Sequence, residues 1–228
     1  MPIAQFPPVE EADDSGLLGI GGDVSVPSLL LAYQSGIFPW PIIDDDVLAW
    51  FAPPERSLLF LEEFHIPRSL QKERKKSSFQ FTIDRAFDQV IHACSQAENR
   101  YDSKGRPQNG TWITEEMVAG YQAFHQAGYA HSVECWDGSD LVGGLYGVSV
   151  GGMFAGESMF HKKSNASKLA LLFLVDFLKE HSVPWIDCQV MTPLFESFGA
   201  RDISRDAFMR LLKTSLSKPA PFPSRPSL

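Results

Sequence analysis

The sequence predicts an α+β fold, and three observations carry the prediction. First, His131 to Trp136, Leu141 to Val150 and Met153 to Phe160 read as strands. They are separated by Asp137-Gly138-Ser139-Asp140 and Gly151-Gly152, both suited to hairpin turns. Second, a strongly apolar helix from Ser164/Asn165 to about Glu180 leads into another strand, Trp185 to Val190. A helix between two strands is a right-handed crossover, so the meander gains a parallel neighbour. Third, helical and strand patterns also mix in the N-terminal quarter.

Taken in order, Ser25 and Pro27 mark a helix start, and Gly36 stops that helix after Ser35. Phe38-Pro39-Trp40-Pro41 cannot continue it. Val47 to Phe51 and Ser57 to Leu61 are short strands around Pro53-Pro54. The run Lys72 to Lys76 is charged and expected at the surface. Phe79 to Ile83 alternates as a strand, and Asp84 is expected to cap a helix through Cys94. Gln96 to Gly110 reads as a polar loop. Thr114 then opens a helix whose Met117, Val118, Tyr121 and Phe124 share one face, ending at Gly128. After Val190 come a short helix around Leu194 to Phe198, a stop at Gly199, and a strand and helix through Lys213. A boundary near Phe64 divides a small α+β unit, residues 1–63, from a larger catalytic-looking unit, 64–216. The Pro- and Ser-rich tail, 217–228, is expected to be loose.

Composition narrows the classes. The chain has 228 residues, 44% of them apolar and 12% aromatic, which suits a globular protein. A net charge of -8 argues against a surface that is nucleic-acid footprint throughout, while leaving room for a local basic patch. Cys94, Cys135 and Cys188 form no CxxC pair and read as reduced thiols. His65, His125, His131 and His161 show no metal-ligand spacing. The N-terminus lacks a signal-peptide pattern, and the longest apolar run, Leu169 to Val175, is too short to span a bilayer. A soluble intracellular protein without a metal is expected.

The chemistry concentrates in two strands, Gly156-Glu157-Ser158-Met159-Phe160 and Ile186-Asp187-Cys188-Gln189-Val190. Alternation puts Asp187 and Gln189 on one face, with Ile186, Cys188 and Val190 turned to a core. The crossover sets the two strands side by side, with a crevice where their carboxyl ends diverge. Glu157, Asp187 and Gln189 would converge there. A buried hydrogen-bond network without chemistry would use the same residues, and spacing alone leaves both readings open.

Trp40, Trp50 and Trp112 lie near element ends, where rings either stack on a nucleobase or pack between lobes. Lys72-Glu73-Arg74-Lys75-Lys76 suits phosphates or a solvated loop. Gly19-Ile20-Gly21-Gly22-Asp23 fits neither phosphate-loop spacing, and Ser158 has no GxSxG elbow. The strand–helix–strand order invites comparison with coenzyme-A acyltransferases of the GNAT type. Their glycine-rich turn is absent from His161 to Lys168, which disfavours a pyrophosphate there.

Several blocks together resemble the leucyl/phenylalanyl-tRNA–protein transferase family. They are Gly16-Leu17-Leu18 through Gly21-Gly22-Asp23, Gly36-Ile37-Phe38-Pro39-Trp40, Thr111-Trp112-Ile113 and His131-Ser132-Val133-Glu134. Leu141-Val142-Gly143-Gly144-Leu145-Tyr146-Gly147, Gly156 to Phe160, Asn165-Ala166-Ser167-Lys168 and Ile186 to Val190 follow in family order. The resemblance covers roughly residues 15 to 213.

It implies a cytoplasmic enzyme with a GNAT-like C-terminal domain that uses neither coenzyme A nor a metal; a monomer is expected. Such an enzyme moves Leu or Phe, and Met less well, from Leu-tRNA or Phe-tRNA to the N-terminal Arg or Lys of a protein. The product enters N-degron degradation. Gln189, assisted by Asp187, would draw the proton from the attacking amine, although the tRNA ribose hydroxyl is an alternative carrier. Glu157 would lie at the acceptor site. Leu145, Met159, Leu174 and Ile186 would form the aminoacyl pocket, and Trp50 and Trp112 would hold the terminal adenosine. Arg68, Lys72, Arg74, Lys75 and Lys76 would meet tRNA phosphates.

Overall fold

Asp23 organises the first helix. Its Oδ1 accepts the backbone N–H of Ser25 and the hydroxyls of Ser25 and Ser28. Pro27 then fits the first turn, where its missing N–H costs nothing. The computed structural model describes residues 2–42, 47–97, 100–101, 107–108 and 113–222. Its first elements are β1 (Leu17–Ile20), α1 (Val26–Gln34), β2 (Phe38–Ile42), β3 (Val47–Phe51) and β4 (Glu55–Phe60). The sequence pattern does not announce β1 or β2. Pro39 and Pro41 are tolerated in β2 because it is an edge strand of the small sheet β1-β3-β2.

The chain continues as α2 (Arg68–Lys76), β5 (Gln80–Ile83), α3 (Phe87–Ser95), β6 (Arg100–Tyr101), β7 (Pro107–Gln108) and α4 (Glu115–Gln126). The meander follows as β8 (Ala130–Asp137), β9 (Asp140–Val150) and β10 (Met153–His161), as the turn residues predicted. Then come α5 (Ala166–Glu180), β11 (Trp185–Gln189), α6 (Pro193–Ser197), β12 (Arg201–Ser204) and α7 (Arg205–Leu216).

Seven strands form the main sheet in the order β12-β4-β11-β10-β9-β8-β5. Among the described residues only β10 and β11 run parallel, as the crossover through α5 requires. The helices α3 and α5 pack on opposite faces, as two adjacent glycines show. A Cβ on Gly144 would approach Val90 of α3, while one on Gly143 would lie 2.6 Å from the Cβ of Ala166 in α5. Gly143 therefore lets the first turn of α5 sit directly against β9. Apolar clusters fill both sides of the sheet.

Three expectations change. Asp84 does not cap α3: at φ 57° it turns back, accepting the Ser132 N–H at 2.9 Å and lying 2.7 Å from His131 Nδ1. Glu134 on β8 instead accepts the N–H groups of Arg85 and Ala86, the two residues just before α3. Burial pushes the Glu134 carboxyl above its usual range, against the hydrogen bonds it accepts. Next, β4 precedes Phe64 in sequence yet is hydrogen-bonded inside the large sheet, between β12 and β11. Finally, the tail is anchored at Phe222, whose buried ring stacks on His131 at 4.0 Å. Among the described residues, no helix is long and apolar enough to cross a membrane. No group of His, Cys, Asp and Glu among them could hold a metal ion.

Candidate active site

The crevice arises because β10 and β11 pair only briefly. Phe154 faces Ile186 and Ala155 faces Asp187, and the ladder ends there. Both strands then change register against their other neighbours. Between Gly156 and Ser158, Glu157 is the extra residue against Gly147 and Tyr146 of β9. Between Asp187 and Gln189, Cys188 is the extra residue against Leu58 and Ser57 of β4. Bulges of this kind bend a strand and re-aim its side chains. A cavity of about 730 Å³ opens beside them.

Leu145, Met159, Leu174 and Ile186, the expected aminoacyl pocket, all line this cavity, as do Glu157 and Gln189. Asp187 is fully buried beneath it, in a bidentate pair with Arg56 of β4. Arg56 Nε donates to Oδ1 at 2.8 Å and Nη2 to Oδ2 at 2.7 Å. The guanidinium is held between the rings of Phe38 and Phe208, 4.5 and 4.6 Å from their centroids. A buried carboxylate is tolerable only with such a partner, and here the charges and hydrogen bonds are matched.

Asp187 Oδ1 also accepts the backbone N–H of Gln189 at 2.9 Å. Gln189 sits at φ 56°, a left-handed conformation uncommon for a residue with a Cβ. The Asp187 bond helps hold it there. The side-chain amide of Gln189 turns to Glu157 instead, with Nε2 donating to Oε1 at 2.7 Å. Asp187 thus fixes the backbone of Gln189, and Glu157 fixes its amide.

Glu157 is half-buried from solvent but surrounded by protein. Its Oε2 accepts from the Tyr121 hydroxyl at 3.2 Å, and Tyr121 in turn lies 2.5 Å from the Tyr33 hydroxyl. Burial dominates its ionisation and pushes its pKa up to about 7. Hydrogen bonds from Tyr33, Tyr121 and Gln189 oppose that rise, while the negative charge of Asp187 adds to it.

The remaining sequence-predicted residues fare unevenly. Ile186 and Cys188, expected to face a core, are buried in one and also form part of the cavity wall, while Val190 is 40% exposed. Trp50 is not placed to meet an adenosine. It is 2% exposed, packs against Phe6, and donates its indole N–H to the Gly21 carbonyl at 2.8 Å. Trp40, by contrast, lines the cavity. Trp112 lies outside the described residues. Arg68, Lys72, Arg74, Lys75 and Lys76 are carried on a helix, α2, not on a loop. Its buried Leu70 turns inward, and Arg74 pairs with Asp176 of α5. Sequence reasoning missed Arg56, Tyr33 and Tyr121 as site residues. Arg56 carried a signal, being a charge inside the strand run Glu55-Arg56-Ser57-Leu58-Leu59-Phe60. The two tyrosines have the pattern of ordinary helical core.

Comparison with known proteins points in one direction. The model of the leucyl/phenylalanyl-tRNA protein transferase family matches residues 58–213, and that of its N-terminal domain matches 22–54. The leucyl/phenylalanyl-tRNA–protein transferase of Syntrophus aciditrophicus is 51% identical over 95% of this chain and 88% of its own. That of Pseudoalteromonas translucida is 48% identical over 91% of this chain and 84% of its own. Among solved structures, L-PGS from Bacillus licheniformis aligns with 82% of this chain and 68% of its own at 11% identity. Its TM-score of 0.42 is too low to inform the fold. Sequence similarity at the level of the first two relatives, over nearly the whole chain, is decisive: the chain belongs to the leucyl/phenylalanyl-tRNA–protein transferase family.

Proposed function

We propose that the protein transfers Leu or Phe from aminoacyl-tRNA to the N-terminal amine of an acceptor protein. The observation that carries this reading is the Gln189 amide, fixed by Glu157 at the wall of an apolar cavity. Because Nε2 donates to Glu157, Oε1 is the atom that can accept a hydrogen bond from an incoming amine.

An aminoacyl ester is already activated, so holding ester and amine together supplies much of the rate. The α-amine must be neutral to attack, against an ordinary pKa of about 7.7–8.0. Gln189 is nearly non-basic and orients the amine. Glu157, with its pKa of about 7, is matched to take the proton. The C–N bond then forms, the ester C–O bond breaks, and the proton ends on the ribose oxygen that leaves. Leu145, Met159, Leu174 and Ile186 receive the Leu or Phe side chain. A methylene-scale difference there is worth only about 1–3 kcal/mol, so one pocket serves both, with Met weaker.

The finer reading extends from the family resemblance. The acceptor begins with Arg or Lys, whose cationic side chain suits the acidic end of the cleft at Glu157. The product is marked for N-degron degradation in the cytoplasm. Residues 64–216, completed by β4, act as a GNAT-like catalytic unit beside the smaller unit 1–63. The enzyme works as a monomer, and the cations of α2 approach acceptor-stem phosphates.

The test is transfer of labelled Phe from Phe-tRNA to one peptide beginning with Arg and another beginning with Ala. Label on the Arg peptide alone supports the reading, and label on neither sinks it. Gln189→Ala should slow transfer at least tenfold with unchanged Phe-tRNA binding. A near-wild-type rate would strip Gln189 of its part in orienting the amine.

A further inference from the structure

We propose that Tyr33 and Tyr121 are positioning residues of the transfer reaction, a phenol pair that clamps Oε2 of Glu157 so that Oε1 fixes the Gln189 amide. The proposal rests on the aminoacyl-transfer function and assigns it two residues from outside the β10–β11 crevice.

The geometry is a chain. The two hydroxyls lie 2.5 Å apart, Tyr121 Oη donates to Glu157 Oε2 at 3.2 Å, and Gln189 Nε2 donates to Glu157 Oε1 at 2.7 Å. A carboxylate without a partner on Oε2 can turn about its last torsion, which is broad and roughly two-fold. Holding both oxygens removes that freedom and transmits a single orientation to the amide. The phenols come from two helices, α1 and α4, so neither is fixed by the bulge that carries Glu157. Tyr33 stacks on Phe124, and Tyr121 meets Tyr146 edge-on at 5.5 Å. These contacts limit where each hydroxyl can move.

Both tyrosines are fully buried, at 1% and 0% exposure. The pair therefore ends inside the protein and does not conduct a proton to solvent. Its effect on Glu157 is local. The groups facing this carboxyl are Tyr33 from α1, Tyr121 from α4, and Gln189 and Asp187 from β11. Arg56 of β4 pairs with Asp187, and Tyr146 of β9 lies behind Tyr121. The phenol donors favour the ionised carboxylate, which is the form that takes a proton from the amine. Removing one donor should make Glu157 hold its proton to higher pH.

The experiment follows Phe transfer from Phe-tRNA to an Arg-beginning peptide against pH in the wild type, Tyr121→Phe and Tyr33→Phe. Each substitution removes one oxygen and keeps the ring. The acidic limb of kcat should move up by about one pH unit, a loss of about fivefold at pH 7 that recovers at high pH. The KM for Phe-tRNA should not change. A second readout needs no turnover: infrared titration of the Glu157 carboxyl, identified by its disappearance in Glu157→Gln. Its midpoint should rise in either phenol variant. Should the wild type fail to transfer Phe, the functional reading falls while the carboxyl midpoint still decides the role of the phenols. A loss equal at every pH, or an unmoved limb and midpoint in both variants, overturns the proposal.

Discussion

Glu157 shows how a single residue balances chemistry against stability. Its folded pKa of about 7 lies above the ordinary 4.5, so the unfolded chain releases the proton first as pH rises. Unfolding is then favoured progressively between those two values, and the stability lost there stays lost at higher pH. Glu157→Gln keeps the shape and removes the charge. It should raise the denaturation midpoint at pH 8, leave it nearly unchanged at pH 4, and abolish most transfer. Equal midpoints at pH 8 would show that the folded environment does not penalise the carboxylate. Tryptophans divide by the same logic of environment. Trp40→Ala should weaken Phe-tRNA binding with little loss of stability, whereas Trp50→Ala should cost about 3–5 kcal/mol of stability, as buried aromatic truncations do. Urea titration and Phe-tRNA binding measured on both variants separate these outcomes.

Among the elements, those set by local chemistry were legible. Gly138 and Gly151, both at positive φ, end the strands of the meander where the turn residues stood. The apolar stripe of α5 and the strand after it fixed the crossover, and with it the neighbours of the crevice. The convergence of Glu157 and Gln189 followed from that topology. What local pattern does not encode is pairing across long separations. Arg56 and Asp187 are 131 positions apart, and nothing near either residue announces the other. Bulges are similarly hidden, because an extra residue has no composition of its own. Trp40 and Trp50 sit on adjacent strands, β2 and β3. Which of them reaches the cavity depends on how the small sheet docks. The hold of Glu134 on the turn before α3 belongs to the same class, since that turn and the acceptor strand are remote in sequence.

At the scale of the molecule, β4 ties the early part of the chain to the late part. It pairs with β11 through Trp185 to Gln189 and with β12 through Arg201 to Ser204. It also carries the only cation hydrogen-bonded to Asp187 among the described residues. A protein beginning at residue 64 would expose β11 as a sheet edge and leave Asp187 buried without its partner. Removing one member of a buried pair costs about 3–5 kcal/mol, and an open apolar edge invites association. Such a truncation should be aggregated by light scattering or inert towards Phe-tRNA. The full-length protein, which keeps β4, is the reference for both readouts. Soluble, active protein from the shorter version would show that β4 is dispensable.

The position of β4 also has a meaning for the order of synthesis. On the ribosome Arg56 emerges early, and Asp187, Gln189 and the β12 residues emerge much later. A nascent chain therefore carries the guanidinium, the phenols and Glu157 long before it has the amide that orients an amine. Until the final strands arrive, the growing polypeptide has no competent centre with which to consume charged tRNA from the pool that is building it.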